Sequence, residues 1–361
     1  MEKKTRVLIA DDSALMRRTI RKLLEGTGHI DVVSTARDGI DVLEKAEKFS
    51  PDVITLDINM PRMDGLTALK KLIRKNIAPV IMISSLTQAG AETTIKALEL
   101  GAFDCVGKPD GTVTSNMNSV AKDLERKISS AVSSGILKRL RNESLDPRKT
   151  RPRKPISSRK DRVPVKKVSK VSSRFRAIAI GISTGGPKTI FDVLPRLPKT
   201  LNAAIFLVQH MPVNFTSTFA KRIDTNCPMH CVEARSGMSV EPGTIYLGRG
   251  GYHLGVVKKR NGEVVVRTPS RPPHLFIPSV DVMMQSVLSV YGSDTIGLLM
   301  TGMGDDGANS MVDIRKAGGK TIAESEDSAI VWGMPGEAVA RGGAEYVQPS
   351  WRIASTLLNL I

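Results

Sequence analysis

Two stretches of this chain repeat one pattern. A short apolar run stops abruptly on a polar residue, and a segment with apolar residues three and four apart follows. In the first stretch, Val7-Leu-Ile-Ala10 stops at Asp11-Asp12-Ser13, Pro51 to Leu56 runs into Asp57, Pro79 to Ile83 ends on Ser84, and Phe103 to Val106 leads into Lys108-Pro109. Val32-Val33 and its flanks add a further strand. Helical spacing fills the gaps at Leu15, Ile20, Leu23 and Leu24, and over 40–49, 66–77 and 91–100. Uninterrupted apolar strands alternating with helices predict an α/β fold, with a parallel sheet covered by helices on both faces.

The second stretch repeats the alternation. Ala177 to Ile180 precedes Gly181-Ile-Ser183-Thr-Gly-Gly186, Ala203 to Val208 ends at Gln209-His210, and Thr295 to Met300 ends at Thr301-Gly-Met-Gly-Asp-Asp-Gly307. Helices are expected over 187–194, 215–223, 279–291 and 308–317, and last strands over 320–323 and 345–347. Residues 244–266 read as β-rich, with an Asn261-Gly262 turn that predicts a β-hairpin inserted into the alternation.

A chain of 361 residues favours two domains. The net charge of +17 invites a nucleic-acid reading, but its placement argues against one. Residues 138–176 hold sixteen Lys/Arg against three Asp/Glu, or +13 of the total, in a stretch with few apolar residues. Such a segment is expected to be an extended, self-repelling tether, its first part continuing a helix from Ser119. The expected boundaries are 1–125 for the first domain, 126–173 for the basic linker and 174–361 for the second domain. Three irregularly spaced cysteines argue for a reducing compartment. Cys227-Pro-Met-His230-Cys231 offers too few ligands for a structural zinc and reads as a loop. Neither a spanning segment nor a signal peptide is evident, so a cytoplasmic protein is expected.

The chemistry lies at the strand ends. In an open parallel sheet these ends share one edge, where ligands bind. Asp11, Asp12 and Asp57 would repel one another there unless a cation joined them, and oxygen-only ligands favour Mg²⁺. A metal, a lysine (Lys108) and a hydroxyl (Ser84) around one carboxylate make a phosphoryl-accepting site. The competing reading, that Asp11 or Asp12 merely caps a helix, explains one residue but not five at successive strand ends. In the second stretch a serine, a histidine and an acidic pair end three strands. Ser183 as nucleophile, His210 as base and one of Asp305 or Asp306 as the orienting acid supply what ester hydrolysis needs. The order Ser…His…Asp differs from that of the α/β-hydrolases. The Gly302–Gly307 turn has the alternative reading of a phosphate loop, which its acidic pair opposes.

The motifs Asp11-Asp12-Ser13, Leu56-Asp57-Ile58-Asn59-Met60-Pro61, Met63-Asp64-Gly65, Ser84-Ser85 and Lys108-Pro109 resemble a response-regulator receiver domain, of flavodoxin-like doubly wound fold. The resemblance implies that Asp57 is the phospho-acceptor. It also implies that Asp12, Asp57 and the backbone carbonyl of Asn59 bind Mg²⁺ with help from Asp11, and that Ser84 and Lys108 are the switch residues. Cys105 stands where receivers usually carry an aromatic residue. Gly181-Ile-Ser-Thr-Gly-Gly186, Val208-Gln-His-Met211 and Leu299-Met-Thr-Gly-Met-Gly-Asp-Asp-Gly307 resemble the doubly wound catalytic domain of the chemotaxis protein-glutamate methylesterase (CheB) family.

That second resemblance implies a triad of Ser183, His210 and Asp306, with backbone amides of Thr184 and Met303 as oxyanion donors and no cofactor for ester hydrolysis. It further implies methyl-accepting chemoreceptors as substrate, glutamine deamidation as a second reaction, a chemotaxis histidine kinase as phosphodonor, and recruitment to receptor arrays without membrane insertion or nucleic-acid binding. A receiver-controlled transcription regulator and a catalytically silent adaptor are the alternatives. No helix-turn-helix pattern supports the first, and a methanol-release assay would expose the second.

Overall fold

The computed structural model describes residues 4–85, 87–108, 114–135 and 175–361. Pro109 and the basic stretch from 136 to 174 lie outside the described residues. The first domain runs β1 (Thr5–Ala10), α1 (Ala14–Glu25), β2 (Ile30–Ala36), α2 (Gly39–Phe49), β3 (Val53–Asp57), α3 (Gly65–Arg74), β4 (Val80–Ser84), α4 (Gln88–Leu100), β5 (Asp104–Gly107) and α5 (Thr114–Ser133). Its five strands are parallel in the order β2-β1-β3-β4-β5. Every residue of β3 and β4 is buried, as their continuous apolar runs require in a central position. Short polar side chains start the helices. Ser13 Oγ accepts from Met16 N, Asp38 from Ile40 N and Asp41 N, and Asp64 from Thr67 N. Helix α5 passes the expected boundary at 125 without a break and buries Leu124, Ile128 and Ala131 against the sheet.

The second domain runs β6 (Arg176–Ile182), α6 (Gly186–Thr189), β7 (Ala203–Gln209), α7 (Thr216–Asn226), β8 (His230–Glu233), β9 (Thr244–Leu247), the hairpin strands β10 (Gly255–Lys258) and β11 (Val264–Arg267), α8 (Val280–Tyr291), β12 (Thr295–Leu299), α9 (Ala308–Lys316), β13 (Lys320–Glu324), α10 (Met334–Ala340), β14 (Tyr346–Gln348) and α11 (Ser350–Leu360). Seven strands form one parallel sheet in the order β14-β13-β12-β6-β7-β9-β8, and β10-β11 form the separate antiparallel hairpin.

Two local expectations change, and two helices are unforeseen. The helix read over 187–194 is one α-turn followed by 3-10 turns at Ile190–Asp192 and Leu194–Arg196, because Pro195 disfavours continued α geometry at Leu194. The loop read at 227–231 holds over 227–229, but His230 and Cys231 begin edge strand β8, which pairs with β9 and buries Cys231. Helices α10 and α11 are not anticipated by the sequence pattern. Prolines and glycines crowd α10, whereas α11 does carry an apolar face at Ile353, Ala354 and Leu357.

Both sheets reverse their strand order once at a functional edge. In the first, the chain leaves β1 for β2 on one side and returns to β3 on the other. In the second, it leaves β6 toward β7 and returns to β12 on the opposite flank. Such switch points open a crevice beyond the strand ends. Asp11 and Asp57 flank the first crevice; Ser183 and Asp306 flank the second.

Candidate active site

Ser183 follows β6 in a turn held from three sides. Its N–H donates to Thr301 O at 2.9 Å, and its carbonyl accepts from Gly186 N at 2.8 Å and Gln209 Nε2 at 3.0 Å. Gly185 has φ +80°, a conformation that penalises any side chain. Across the turn, a Cβ on Gly302 would lie 2.8 Å from that of Ser183. Glycine at both places lets the backbone expose the serine hydroxyl at the sheet edge.

His210 follows β7, its N–H donating to Ile182 O at 3.2 Å. Its Nδ1 lies 3.1 Å from Ser183 Oγ and its Nε2 2.8 Å from Asp306 Oδ2. An acceptor-only carboxylate fixes the proton on Nε2, which leaves Nδ1 free to accept the serine proton. Asp306 in turn sits against the N-terminus of α8. Its Oδ2 also accepts from Val280 N (2.8 Å), and its Oδ1 accepts from Ser279 Oγ (2.8 Å) and Asp281 N (2.9 Å). Burial pushes the carboxyl pKa up, but these donors, His210 first, outweigh it and hold it down at about 2. Of the two acids left open by spacing, Asp306 therefore meets the histidine. Asp305 faces outward to Arg341 at 2.7 Å.

The sequence reading missed the layer behind the triad. Phe276 stacks on His210, ring centroids 4.0 Å apart and planes 10° apart. Ser279 caps α8 and binds Asp306, and the fully buried His253 accepts from Ser279 N at 3.2 Å. A Ser279 cap before an apolar-periodic helix was a visible signal; its second role was not. His274 Nε2 lies 3.5 Å from Ser279 Oγ in the same layer, whereas His230 pairs with Asp224 on the surface at 2.7 Å.

A cavity of about 500 Å³ opens between the two domains. Ser183, Thr184, His210 and Met303 line it from one side, and Asp104, Lys108, Arg126 and Lys127 from the other. Thr184 Oγ1 donates to Asp104 Oδ2 at 2.5 Å, the Arg126 guanidinium lies over the Phe276 ring 4.4 Å from its centroid, and Arg222 forks onto Glu99 at 2.6 and 2.7 Å.

At the first crevice, carboxylate oxygens of Asp11, Asp12 and Asp57 lie within 4.8 Å of one another. Ser13, not either acid, caps α1, so the capping alternative fails for Asp11 and Asp12. Lys108 Nζ sits 2.8 Å from Asp57 Oδ2 and 3.1 Å from Asp11 Oδ2. Apart from that ammonium, these two buried oxygens have no hydrogen-bond donor among the described residues. Burial, with Asp11 adding repulsion against the pull of Lys108, raises the Asp57 pKa. Under-satisfied hard oxygens around a charge excess fit a small divalent cation. Asn59 lies two residues past β3 and is exposed. Ser84 Oγ points to Ser85 O and Gly90 O at 3.3 Å each, and Lys108 N donates to Ser84 O at 2.7 Å. Cys105 is buried, and its thiol pKa is pushed up to about 12.

Comparison with known proteins adds to this geometry. The CheB methylesterase family profile matches residues 178–357, and the response regulator receiver domain profile matches residues 7–114. A protein-glutamate methylesterase/protein-glutamine glutaminase of Syntrophomonas wolfei is 53% identical over 99% of both chains. A protein of the same name from Pyrococcus abyssi is 40% identical over 99% of this chain and 94% of its own. This chain belongs to the CheB family. The crystal structure of the Thermotoga maritima CheB methylesterase catalytic domain matches 52% of the chain and all of its own, at 36% identity and a TM-score of 0.51. No helix among the described residues of this CheB protein is long and apolar enough to cross a membrane.

Proposed function

We propose that this protein is a protein-glutamate methylesterase and protein-glutamine glutaminase of bacterial chemotaxis, switched by phosphorylation of its receiver domain. The observation that carries the reading is the continuous hydrogen-bonded chain Ser183–His210–Asp306 at the switch point of the second sheet. Ser183 Oγ attacks the side-chain carbonyl of a receptor glutamate γ-methyl ester while His210 Nδ1 takes its proton. The oxyanion is received by backbone amides of Thr184 and Met303. His210 returns the proton to the leaving methoxide, and methanol departs. Water, deprotonated by the same imidazole, then cleaves the glutamyl ester, releasing glutamate and the serine hydroxyl. A glutamine side chain passes through the same tetrahedral state, with ammonia leaving. Asp306 fixes the tautomer and stabilises the imidazolium.

Asp57 accepts a phosphoryl group from the chemotaxis histidine kinase. Asp11, Asp12, Asp57 and the Asn59 carbonyl would hold Mg²⁺, which supplies charge neutralisation for that transfer. A receiver that extends from the expected limit of 125 to the end of α5 at Ser133, and a catalytic domain of 174–361, joined by a basic tether, suit this reading. The contacts of Asp104 with Thr184 and of Arg126 with Phe276 support a receiver that covers the crevice until phosphorylation shifts it.

Methanol release from methylated receptor membranes, with and without a small phosphodonor, tests the proposal. Wild-type protein should release methanol faster with the phosphodonor, and Ser183→Ala should lose at least about 10³-fold of the rate. Retained activity in that variant would overturn the triad.

A further inference from the structure

Strand β13 ends on Glu324, whose side chain is completely buried. Its Oε2 accepts from Thr301 N at 2.8 Å and its Oε1 from Ser328 Oγ at 2.7 Å. Thr301 stands between this carboxyl and the nucleophile. The Thr301 carbonyl accepts from Ser183 N, and its hydroxyl donates to Thr184 O, both at 2.9 Å. Val331 N closes the network onto the same hydroxyl at 2.9 Å. Glu324 thus reaches both residues of the serine turn through a single intermediary.

The surroundings of this carboxyl are neutral or acidic. Thr301 faces it from the end of β12, Ser328 from the following loop and Asp192 from the turn after α6. Ser350, at the start of α11, donates its N–H to Ser328 Oγ at 2.9 Å and its hydroxyl to Asp192 at 2.6 Å. Among the described residues no cation pairs with Glu324. A carboxylate so placed is costly, and burial raises its pKa to about 7. A proton has a place to go. Ser328 Oγ lies 3.5 Å from Ser325 O, so its hydroxyl can turn there and accept from Glu324 instead.

We propose that Glu324 is a positioning residue of the esterase: in its uncharged form it fixes Thr301, and through it Ser183 and Thr184, without placing a negative charge behind the developing oxyanion. This rests on the methylesterase reading of Ser183. A carboxylate two hydrogen bonds from the nucleophile turn would oppose charge build-up there, because electrostatic effects are large in a buried site.

The test uses the full chain and methanol release. Glu324→Leu should lower kcat at least tenfold with KM within twofold. Glu324→Gln, whose amide carbonyl accepts from Thr301 and whose NH₂ donates to Ser328, should keep kcat within threefold at pH 6. The ratio of Gln variant to wild type should then rise at least threefold by pH 8.5, as the wild-type carboxyl ionises. Thr301→Val should lose kcat as Glu324→Leu does, and the double variant should lose no more than either.

Thermal unfolding gives a readout that needs no turnover and so separates this inference from the esterase reading. A carboxyl with a raised folded-state pKa confers stability that is full at low pH and lost as pH rises through about 7. Glu324→Gln should therefore raise Tm over wild type at pH 8.5 more than at pH 5.5. Wild-type kcat in Glu324→Leu, equal losses in the Leu and Gln variants, or a pH-independent Gln-to-wild-type ratio in rate and Tm would each overturn the proposal. Should Glu324→Leu not fold, Thr301→Val and the two pH ratios decide.

Discussion

Asp57 and Asp306 occupy equivalent places in two different sheets. Asp57 ends β3 and Asp306 lies in the loop between β12 and α9, each beside the point where the strand order reverses, and each is almost wholly buried, 1% and 4% exposed. Their surroundings differ. Asp306 accepts from His210, Ser279, Val280 and Asp281, which hold its pKa at about 2. Asp57 has Ile58 N on one oxygen and Lys108 near the other, with Asp11 close by, and its pKa is raised. The fold completes the Asp306 site and leaves the Asp57 site under-neutralised. A site that must hold one imidazole geometry gains from preorganised donors. On the proposed function the Asp57 site takes up and releases a phosphoryl group, and carboxylate oxygens without protein donors suit a cation that assists that exchange.

The comparison breaks first at Asp306. Asp306→Asn keeps the shape but removes the charge that sets the histidine tautomer. We expect kcat to fall by about 10² to 10⁴, by analogy with the same change in serine proteases. The stability effect follows from the lowered pKa. A group depressed from 3.8 to about 2 contributes stability that is present above pH 3.8 and lost as pH falls through about 2. That contribution is about 2 kcal/mol at pH 7. Denaturant unfolding should show a loss of this size in the variant at pH 7, shrinking toward pH 2.

Asp57→Asn should move the other way. Its raised pKa means that the ionised form is held at a cost above the folded-state pKa, so removing the charge stabilises the receiver at pH 7. Lys108 keeps Asp11 as a partner. We expect Tm to rise by roughly 1 to 3 °C. Millimolar Mg²⁺ should raise the wild-type Tm by mass action and leave the variant unmoved. The phosphodonor should no longer stimulate methanol release, while the basal rate stays within twofold. A lower Tm in Asp57→Asn would contradict the claim that this cluster is under-neutralised.

Both sheets were legible because buried parallel strands write themselves as apolar runs, and their polar end residues mark the edge where ligands bind. Ser183, His210 and the acidic pair were visible for that reason, as were Asp11, Asp12 and Asp57. The layer behind them was not. Ser279 is separated from Asp306 by 27 positions and Phe276 from His210 by 66, and no periodicity connects residues on separate loops. Glu324 falls just past the strand expected over 320–323 and carries no signal in the sequence, since only the packed structure shows that among the described residues no cation faces it. Strand β8 was hidden by its length, four residues beginning two positions after Pro228. The choice between Asp305 and Asp306 also lay beyond spacing, because one residue in the turn before α9 moves a side chain from solvent to crevice.

That choice carries the smallest expected effect. The Asp305 side chain is 60% exposed and pairs with Arg341, which also binds Glu337 at 3.0 Å and Asn309 at 2.7 Å. Arg341 therefore keeps partners when Asp305 is lost, and an exposed ion pair contributes at most about 1 kcal/mol. The Asp305 carbonyl, which accepts from Ala308 N at 2.9 Å at the start of α9, survives any side-chain change. Asp305→Ala should thus leave kcat and KM within twofold and stability within about 0.5 kcal/mol. A loss of kcat approaching that of Asp306→Asn would mean that the outward carboxylate acts in turnover, and the contrast between a completed acid and its surface neighbour would fail.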